Sequence, residues 1–178
     1  MEIILSIIVF LLIIFGIFEF KIHNKYLLNI PIRIHVNGSR GKSSVVRLIA
    51  AGLREGGLKT YGKTTGTSPR IIDDKGEDKY IHRLRSASIG EQISLIRYFS
   101  KFNPDALVIE CMAVNPQYQW VSEQKIVKST IGVLTNVRPD HLDEMGTTNS
   151  EIAYSLSNTI PYNSNCITSE KDQYSVLE

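Results

Sequence analysis

A glycine-containing segment between a strand pattern and a helix pattern constrains the fold of this 178-residue chain more than any other feature. Residues 32–37 (IRIHVN) are typical of a buried strand, and residues 42–55 place apolar side chains at helical spacing. Between them, Gly38 and Gly41 permit backbone angles and close approaches that a Cβ would obstruct. Backbone N–H groups converge on anions where a strand runs through such a loop into a helix. The pattern therefore predicts a phosphate-binding loop.

The literal pattern G-x-x-x-x-G-K-[ST] occurs elsewhere, at residues 57–64 (GLKTYGKT). It follows the end of a helix and precedes Gly66 and Pro69, so the strand before it and the helix after it are both missing. We interpret it as a false match. The loop at residues 37–44 lacks the first glycine, since Val36 stands there, but its context is right; a glycine-rich turn without a ligand is the alternative. The predicted ATP-binding residues are Asn37, Gly38, Ser39, Arg40, Gly41, Lys42, Ser43 and Ser44.

The N-terminus carries an uncharged run, residues 3–18, that is close to the ~20 residues needed to cross a bilayer. A cleaved signal peptide would have a basic start and an A-x-A-like site, and a buried core helix would have a polar face. We therefore predict an uncleaved transmembrane anchor over residues 1–20 and a juxtamembrane linker over residues 21–31. Lys21 and Lys25 then place the domain at residues 32–178 in the cytoplasm, tied to the cell membrane by a single span.

Composition excludes some classes of protein. The net charge of +2 and the scattered Lys and Arg residues argue against a nucleic-acid partner. Cys111 and Cys166 are far apart in sequence and are expected to be reduced thiols rather than a disulfide.

Strand and helix patterns alternate along residues 32–178, which predicts an α/β fold with a mostly parallel sheet and helices on both faces. In such sheets ligands bind at the carboxyl ends of the strands, so the loops after Asn37, Lys63, Glu110 and Asn136 should face one crevice. Further strands are predicted at residues 58–63, 105–111, 130–137 and 166–168, helices at 90–102, 116–126 and 149–160, and a hairpin between Arg70 and Leu84.

Two acidic features follow predicted strands. Glu110 ends the apolar run ALVIE, where a carboxylate is costly unless it meets a cation, and we predict that it holds Mg²⁺ directly or through water. The alternative is an ordinary carboxylate at the sheet edge in solvent. His141 is flanked by Asp140 and Asp143, and we interpret it as a functional rather than a structural histidine.

Four motifs in this order resemble those of Mur-type ATP-dependent amide ligases. They are GSRGKS, whose first glycine is missing as in that family, TTGT at residues 64–67, Glu110, and NVRPDHLD at residues 136–143. With the N-terminal anchor, the longer runs VNGSRGKSS, GKTTGT, IECMAVNPQYQ and NVRPDHLDEMG are similar to poly-γ-glutamate synthase subunits of the CapB/PgsB type. The resemblance covers most of residues 32–161.

The resemblance implies a Mur-ligase central fold, ATP and Mg²⁺ as cofactors, and amide-bond formation on glutamate through an acyl phosphate. It implies catalytic roles for Lys42, Glu110 and His141, with Ser43 and Glu110 on one metal ion and His141 on a second. It also implies small membrane proteins of a capsule synthase as partners. Contacts to the acidic chain of poly-γ-glutamate are predicted at Lys63, Thr64, Thr65 and Arg70; surface loop residues without a ligand are the alternative.

Two features depart from the family pattern. Many Mur-type ligases carry a carbamylated lysine about fifteen residues past the metal histidine, where this chain has Leu156. The family also continues well beyond this length, so we expect the N-terminal part of a longer or split protein. A P-loop NTPase or kinase-like domain without ligase activity, and a truncated non-catalytic membrane subunit, remain as alternative functions.

Overall fold

The computed structural model describes residues 1–66, 68–82 and 88–177. The strands in this part of the chain are β1 (Ile32–Asn37), β2 (Thr60–Thr64), β3 (Arg70–Ile72), β4 (Asp78–Tyr80), β5 (Ala106–Glu110), β6 (Ile131–Leu134) and β7 (Asn165–Thr168). The helices are α1 (Glu2–Leu28), α2 (Lys42–Glu55), α3 (Gly90–Ser100), α4 (Pro116–Val121), α5 (Leu142–Met145), α6 (Asn149–Ser157) and α7 (Tyr174–Leu177).

The seven strands form one sheet in the order β4-β3-β2-β5-β1-β6-β7. The strands from β2 to β7 in this order pair in parallel, and β3 and β4 add an antiparallel hairpin at one edge. The predicted α/β fold with a mostly parallel sheet is confirmed. β1 lies between β5 and β6, so the loops that follow these three strands share one edge of the sheet.

Both faces of the sheet are covered by helices. On one face, Val46 and Ala50 of α2 pack against Ile34, Val36 and Val108. On the other face, α3 and the end of α1 share a core that includes Phe99, Leu107 and Leu27, and α6 packs beyond β6 through Ile152 and Leu156. Alternating strand residues therefore point into different cores, as the period of two requires.

Helix α1 is 27 residues long and continues eight residues beyond the predicted end of the anchor. Its side chains at residues 2–20 are exposed, whereas Leu27 is buried in the domain core and His23 Nε2 lies 2.7 Å from the Ile126 carbonyl oxygen. Most of the predicted linker is therefore helix packed on the domain, because the apolar residues after Phe20 find a protein surface to cover them. Within the described residues, α1 is the one helix long and apolar enough to cross a membrane.

The segment after α4 also differs from the prediction of one helix over residues 116–126. The Asn115 side chain caps α4 by accepting from the Gln117 N–H, and the helix then widens into a π-helix over Ser122–Val127 that ends at Lys128 in the left-handed conformation. The wider turn places Glu123 beneath β1, where its buried carboxylate meets His35 Nδ1 at 2.7 Å. A π-helical turn of this kind has no simple signature in sequence and often marks a constrained site.

Both carboxylate oxygens of Glu123 have hydrogen-bond partners. Its second oxygen accepts hydrogen bonds from the Ser129 N–H at 2.8 Å and from the Ser129 hydroxyl at 2.9 Å. Burial alone would lower the pKa of His35, but contacts with Cys111 and with Glu123 outweigh burial and raise that pKa to about 9. Strand β1 is thus held to the π-helix by the buried contact between His35 and Glu123.

Some helix and strand boundaries differ from those predicted from the sequence. β2 begins at Thr60, two residues later than predicted, and the short helix α5 lies where no helix was expected. The hairpin is confirmed as β3 and β4, and its predicted end at Leu84 lies outside the described residues.

Candidate functional site

The predicted phosphate loop connects β1 to α2, as its context required. Gly38 and Gly41 have φ angles of 129° and 82°, which side-chain-bearing residues rarely adopt. Gly41 is the N-cap residue of α2, and no side chain caps this helix end. The first backbone N–H groups of a helix have no intrahelical partner, so the start of α2 presents donors and the positive end of its dipole to an anion.

The loop is held by the segment that follows β6. The Ser39 N–H donates to the Asn136 carbonyl oxygen at 3.0 Å, and the Ser39 hydroxyl donates to the Arg138 carbonyl and accepts from the Arg138 N–H. The Asn136 side-chain amide accepts from the Arg40 N–H and donates to the Arg40 carbonyl. Sequence reasoning assigned Asn136 and Arg138 no role here; their place after the strand next to β1 was the available signal.

Gly38 lies where the loop and this segment touch. A Cβ at this position would lie 2.1 Å from Thr135 Oγ1 and 2.9 Å from the Thr135 backbone nitrogen. We expect Gly38→Ala to lower the free energy of unfolding by more than about 2 kcal/mol, because strain and overlap add, and to abolish nucleotide binding. Thermal unfolding and calorimetry on the full chain in detergent would measure both.

Two glycines of the same region provide controls. A Cβ at Gly41 meets no atom within 4 Å, so Gly41→Ala should cost only the ~1 kcal/mol of a left-handed conformation. Gly52 is exposed within α2 with open space around it, and Gly52→Ala should stabilise the helix by about 0.5–1 kcal/mol. Equal effects of Gly38→Ala and Gly41→Ala would contradict the close contact with Thr135.

Lys42 and Asn37 point in different directions. The Lys42 ammonium donates to the Gly38 carbonyl at 2.7 Å and to the Ser39 carbonyl at 3.3 Å, so it lies over the loop. The Asn37 side chain is buried and donates to Gln119 Oε1 and Thr159 Oγ1, which both lie outside the loop sequence. Of the two, Lys42 is placed to meet a phosphate, whereas the Asn37 amide holds β1 to its neighbours.

Glu110 joins three of the segments singled out in the sequence. It is buried at the end of β5, and its Oε2 accepts from the Ser43 hydroxyl at 2.7 Å and from the Thr65 N–H at 2.8 Å. The carboxylate therefore touches both the phosphate loop and the loop after β2. A hydroxyl and a carboxylate at this distance form an oxygen donor set of the kind that Mg²⁺ prefers.

His141 lies at the rim of the same crevice. Its backbone is left-handed, with φ 46°, at the start of α5, and its side chain is 55 % exposed. Asp140 Oδ1 lies 3.9 Å from His141 Nε2 and accepts from the Arg40 guanidinium at 3.1 Å. Arg40 thus links the phosphate loop to the Asp-His-Leu-Asp segment.

These groups line a pocket of about 500 Å³ at the carboxyl ends of β1, β2 and β5. The predicted convergence of the loops on one crevice is seen in its walls. Among the residues that the structure describes, no group of three His, Cys, Asp or Glu side chains forms a metal site. The lining residues are Ser39, Arg40, Lys42, Thr65, Gly66, Glu110, Cys111, Met112, Ala113, Val114, Asp140, His141 and Met145.

The residues predicted to contact an acidic substrate are spread out. Lys63, predicted to contact the acidic chain, is fully buried in β2, with its ammonium 3.5 Å from Glu91 Oε1 and near Met112. Thr64 is buried as well, whereas the Thr65 N–H is bonded to Glu110 and Arg70 faces Asp78. Thr67 of the TTGT motif lies outside the described residues. Because Gly62, Lys63 and Thr64 are strand residues, the literal GLKTYGKT match is not a phosphate loop, as we interpreted it.

A phosphate loop after the central strand of a parallel sheet, with an acidic strand end beside it, defines the class of P-loop α/β proteins. The sequence matches the Mur ligase middle domain family over residues 36–172, and the chain belongs to that family.

Curated relatives agree with this assignment. The chain is 44 % identical over 165 residues to the capsule biosynthesis protein CapB of Bacillus anthracis, covering 90 % of this chain and 35 % of that protein. It is 42 % identical over 163 residues to the PGA synthase CapB of Bacillus subtilis (strain 168), covering 90 % of this chain and 42 % of that protein. The chain thus spans less than half the length of the curated relatives it matches.

Solved structures show the same fold at low sequence identity. Escherichia coli FolC in complex with ADP superposes with a TM-score of 0.71 at 16 % identity, over 89 % of this chain and 42 % of that one. The bifunctional folylpolyglutamate synthase/dihydrofolate synthase of Yersinia pestis gives 0.66 at 16 % identity, with the same coverage.

Proposed function

We propose that this chain is the nucleotide-binding part of a membrane-anchored, ATP-dependent amide ligase that extends poly-γ-glutamate for a capsule. The two curated relatives, a capsule biosynthesis protein and a PGA synthase, support this substrate class. The resemblance of the TTGT and NVRPDHLD motifs to those of Mur-type ligases favours a ligase over an NTPase or kinase-like domain.

One observation carries the proposal. The Glu110 carboxylate accepts hydrogen bonds from the Ser43 hydroxyl and from the Thr65 N–H, so three separated motifs meet at one oxygen atom. Ser43 directly follows Lys42 at the start of α2, so a cation, a hydroxyl and a carboxylate lie near one another where we propose that the triphosphate binds. Neither strand propensity nor core packing calls for an acidic side chain buried in this place.

The reaction needs negative charges to approach one another. A glutamate carboxylate oxygen attacks the γ-phosphorus of ATP and ADP leaves; the amine of the next glutamate then attacks the acyl carbon, releases phosphate and loses a proton. Lys42 and the N–H groups at the start of α2 bind and orient the phosphates and offset their charge. Ser43 and Glu110 would hold Mg²⁺, which neutralises phosphate charge when it is bound.

His141 is proposed to hold a second cation next to the transferred phosphoryl group, with Asp140 beside it. Arg40 is paired with Asp140, so it would connect the phosphate loop to that cation. Thr65 and Arg70 remain the candidates for binding the acidic chain, since both lie after β2 at the edge where the pocket opens. The role of these residues is a proposal.

Residues 1–20 are proposed to cross the cell membrane once, with the domain in the cytoplasm. Lys21 and Lys25 directly follow the apolar run, and positive residues next to a span favour the cytoplasmic side. Small membrane subunits of the same capsule synthase are proposed as partners on the basis of the family resemblance.

Glu110→Gln tests the metal role. In calorimetry on the full chain in detergent, wild type should bind ATP in a Mg²⁺-dependent way. The variant keeps the size of the side chain and one acceptor oxygen, which can still take both hydrogen bonds, but loses the negative charge, so we expect its affinity for Mg-ATP to fall about tenfold or more. Glu55→Gln, at an exposed position, should change nothing.

The same preparation separates the alternatives. Phosphate release that requires glutamate supports the ligase. Phosphate release at the same rate without glutamate would favour the NTPase. An affinity of Glu110→Gln equal to that of wild type would remove the central observation from the proposal.

A further inference from the structure

Hydrogen bonds connect the end of α1 to the domain, and we call this contact region the joint. The Arg33 guanidinium donates to the carbonyls of Leu27, Ile30 and Lys128, so it ties the end of α1 to the start of β1 and to the end of the π-helix. The Lys128 ammonium donates to Asn24 Oδ1 at 2.8 Å. The helix is therefore packed on the domain over its last two turns, and its exposed apolar part projects from this joint.

Cationic side chains cluster around the joint, and we call Lys21, Lys25, Arg97, Lys125 and Lys128 the basic collar. The Lys128 ammonium lies 4.8 Å from the centre of the Phe20 ring, at the last apolar residue of the run. Arg97 lies over the ring of Tyr26, six residues further along α1.

Neighbouring acidic side chains offset little of the positive charge of the basic collar. Burial, and then repulsion by Lys125 and by Arg33, lowers the pKa of Lys128. Glu19 is the one acidic residue of α1 after Glu2. Glu123, which is close to Arg33, is buried and bonded to His35 and Ser129, so it does not face the collar.

We propose that the basic collar binds anionic phospholipid headgroups at the surface of the bilayer. This inference rests on α1 crossing a membrane, as proposed above. The run that ends at Phe20 brings the collar to the depth of the headgroups, where each cation near an anionic surface adds about fivefold to association. Together with the packed joint, these contacts would hold the domain at one orientation to the membrane.

An acidic polymer is the competing ligand, and the geometry disfavours it. The joint lies at the edge where the parallel strands begin, whereas the pocket lies at the edge where they end. β1 has six residues, so about 20 Å separate the two edges. A growing poly-γ-glutamate chain would have its reacting end at the pocket, on the far side of the domain from the collar.

Trp120, the one tryptophan of the chain, provides a probe. The Lys125 ammonium lies 4.9 Å from the centre of its ring, so Trp120 is close to the collar. The full chain would be placed in lipid nanodiscs, and energy transfer from Trp120 to dansyl-labelled phosphatidylglycerol would be compared with transfer to phosphatidylcholine carrying the same label. We expect a preference for the anionic lipid that weakens as the ionic strength rises above about 0.1 M.

The double variant Lys21→Gln with Lys25→Gln should lower this preference by up to about fivefold for each lysine removed. Its matched control is Lys75→Gln with Lys171→Gln, two exposed lysines away from α1, which changes the net charge equally and should leave the preference intact.

The proposal would be overturned by equal transfer to both lipids, by an equal loss in the control, or by loss of transfer when soluble poly-γ-glutamate is added. The last would assign the collar to the acidic polymer. Absence of transfer to either lipid would show that α1 does not insert into the bilayer. That result would contradict both the proposed membrane anchor and the proposed lipid binding by the collar. Mg-ATP binding, measured on the same nanodiscs, reports separately on the nucleotide site.

Discussion

Replacing Glu123 with glutamine is expected to lower the free energy of unfolding by about 3 kcal/mol near pH 6.5. The carboxylate is buried and bonded to His35 and Ser129, so its loss leaves a buried imidazolium without a counter-charge. Thermal unfolding of the full chain in detergent, followed by Trp120 fluorescence, would measure the change. At the exposed position Glu55, the same substitution should stay within about 0.5 kcal/mol.

This pair also predicts how stability depends on pH. The pKa of His35 is raised from 6.5 in the unfolded chain to about 9 in the folded protein. Its contribution is therefore fully present below pH 6.5 and is lost as the pH rises towards about 9, because the unfolded chain releases this proton first. The difference between these two pKa values corresponds to roughly 3 kcal/mol in the free energy of unfolding.

Wild type should thus lose stability between pH 6.5 and 9 more steeply than Glu123→Gln does, and the two should converge at the upper end. Parallel pH profiles for the two proteins would show that His35 does not carry the charge. A wild-type stability that rises with pH over this range would contradict the raised pKa of His35.

Replacing Lys42 with alanine is expected to weaken Mg-ATP binding by about 10- to 100-fold, with little effect on stability. Its ammonium lies over the phosphate loop on carbonyls of Gly38 and Ser39 and has no buried role. A charged hydrogen bond to phosphate contributes about 1.5–3 kcal/mol, which sets the size of the effect. Calorimetry with wild type and variant at the same Mg²⁺ concentration would measure it.

The control for Lys42→Ala follows from the structure. Lys63, the lysine of the literal motif, is buried beside Glu91, so its replacement would disturb the fold and report nothing on phosphate. Lys75 is exposed in the turn between β3 and β4, and Lys75→Ala should bind Mg-ATP as wild type does. Undiminished binding by a folded Lys42→Ala protein would mean that the phosphates are held elsewhere.

The proposals together place the two ends of the domain in different environments. The collar and α1 belong to the edge where the parallel strands begin, and the pocket opens where they end. On this arrangement, glutamate and ATP approach from the cytoplasm without crossing the headgroup layer. The end of α1 packs on the domain where a linker was expected. This packing would hold the domain at one orientation to the membrane.

Local sequence determined the order and type of most elements. The alternation of strand and helix patterns, the loop between β1 and α2 and the strand-end position of Glu110 follow from hydrophobic period, glycine chemistry and the cost of a buried charge. These signals act between neighbours in the chain, so they can be read without a structure. They also identified GLKTYGKT as a false match, because a motif needs its strand and its helix.

Contacts between distant residues were decided by the tertiary structure alone. The sheet order brings residues 135–138 onto the phosphate loop, and the π-helix brings Glu123 to His35; neither pairing has a signature in its own segment. The burial of Lys63 and the packing of residues 21–28 on α3 depend likewise on what lies opposite them. Sequence period tells which face of an element is apolar, but only the assembled fold supplies the surface that covers it.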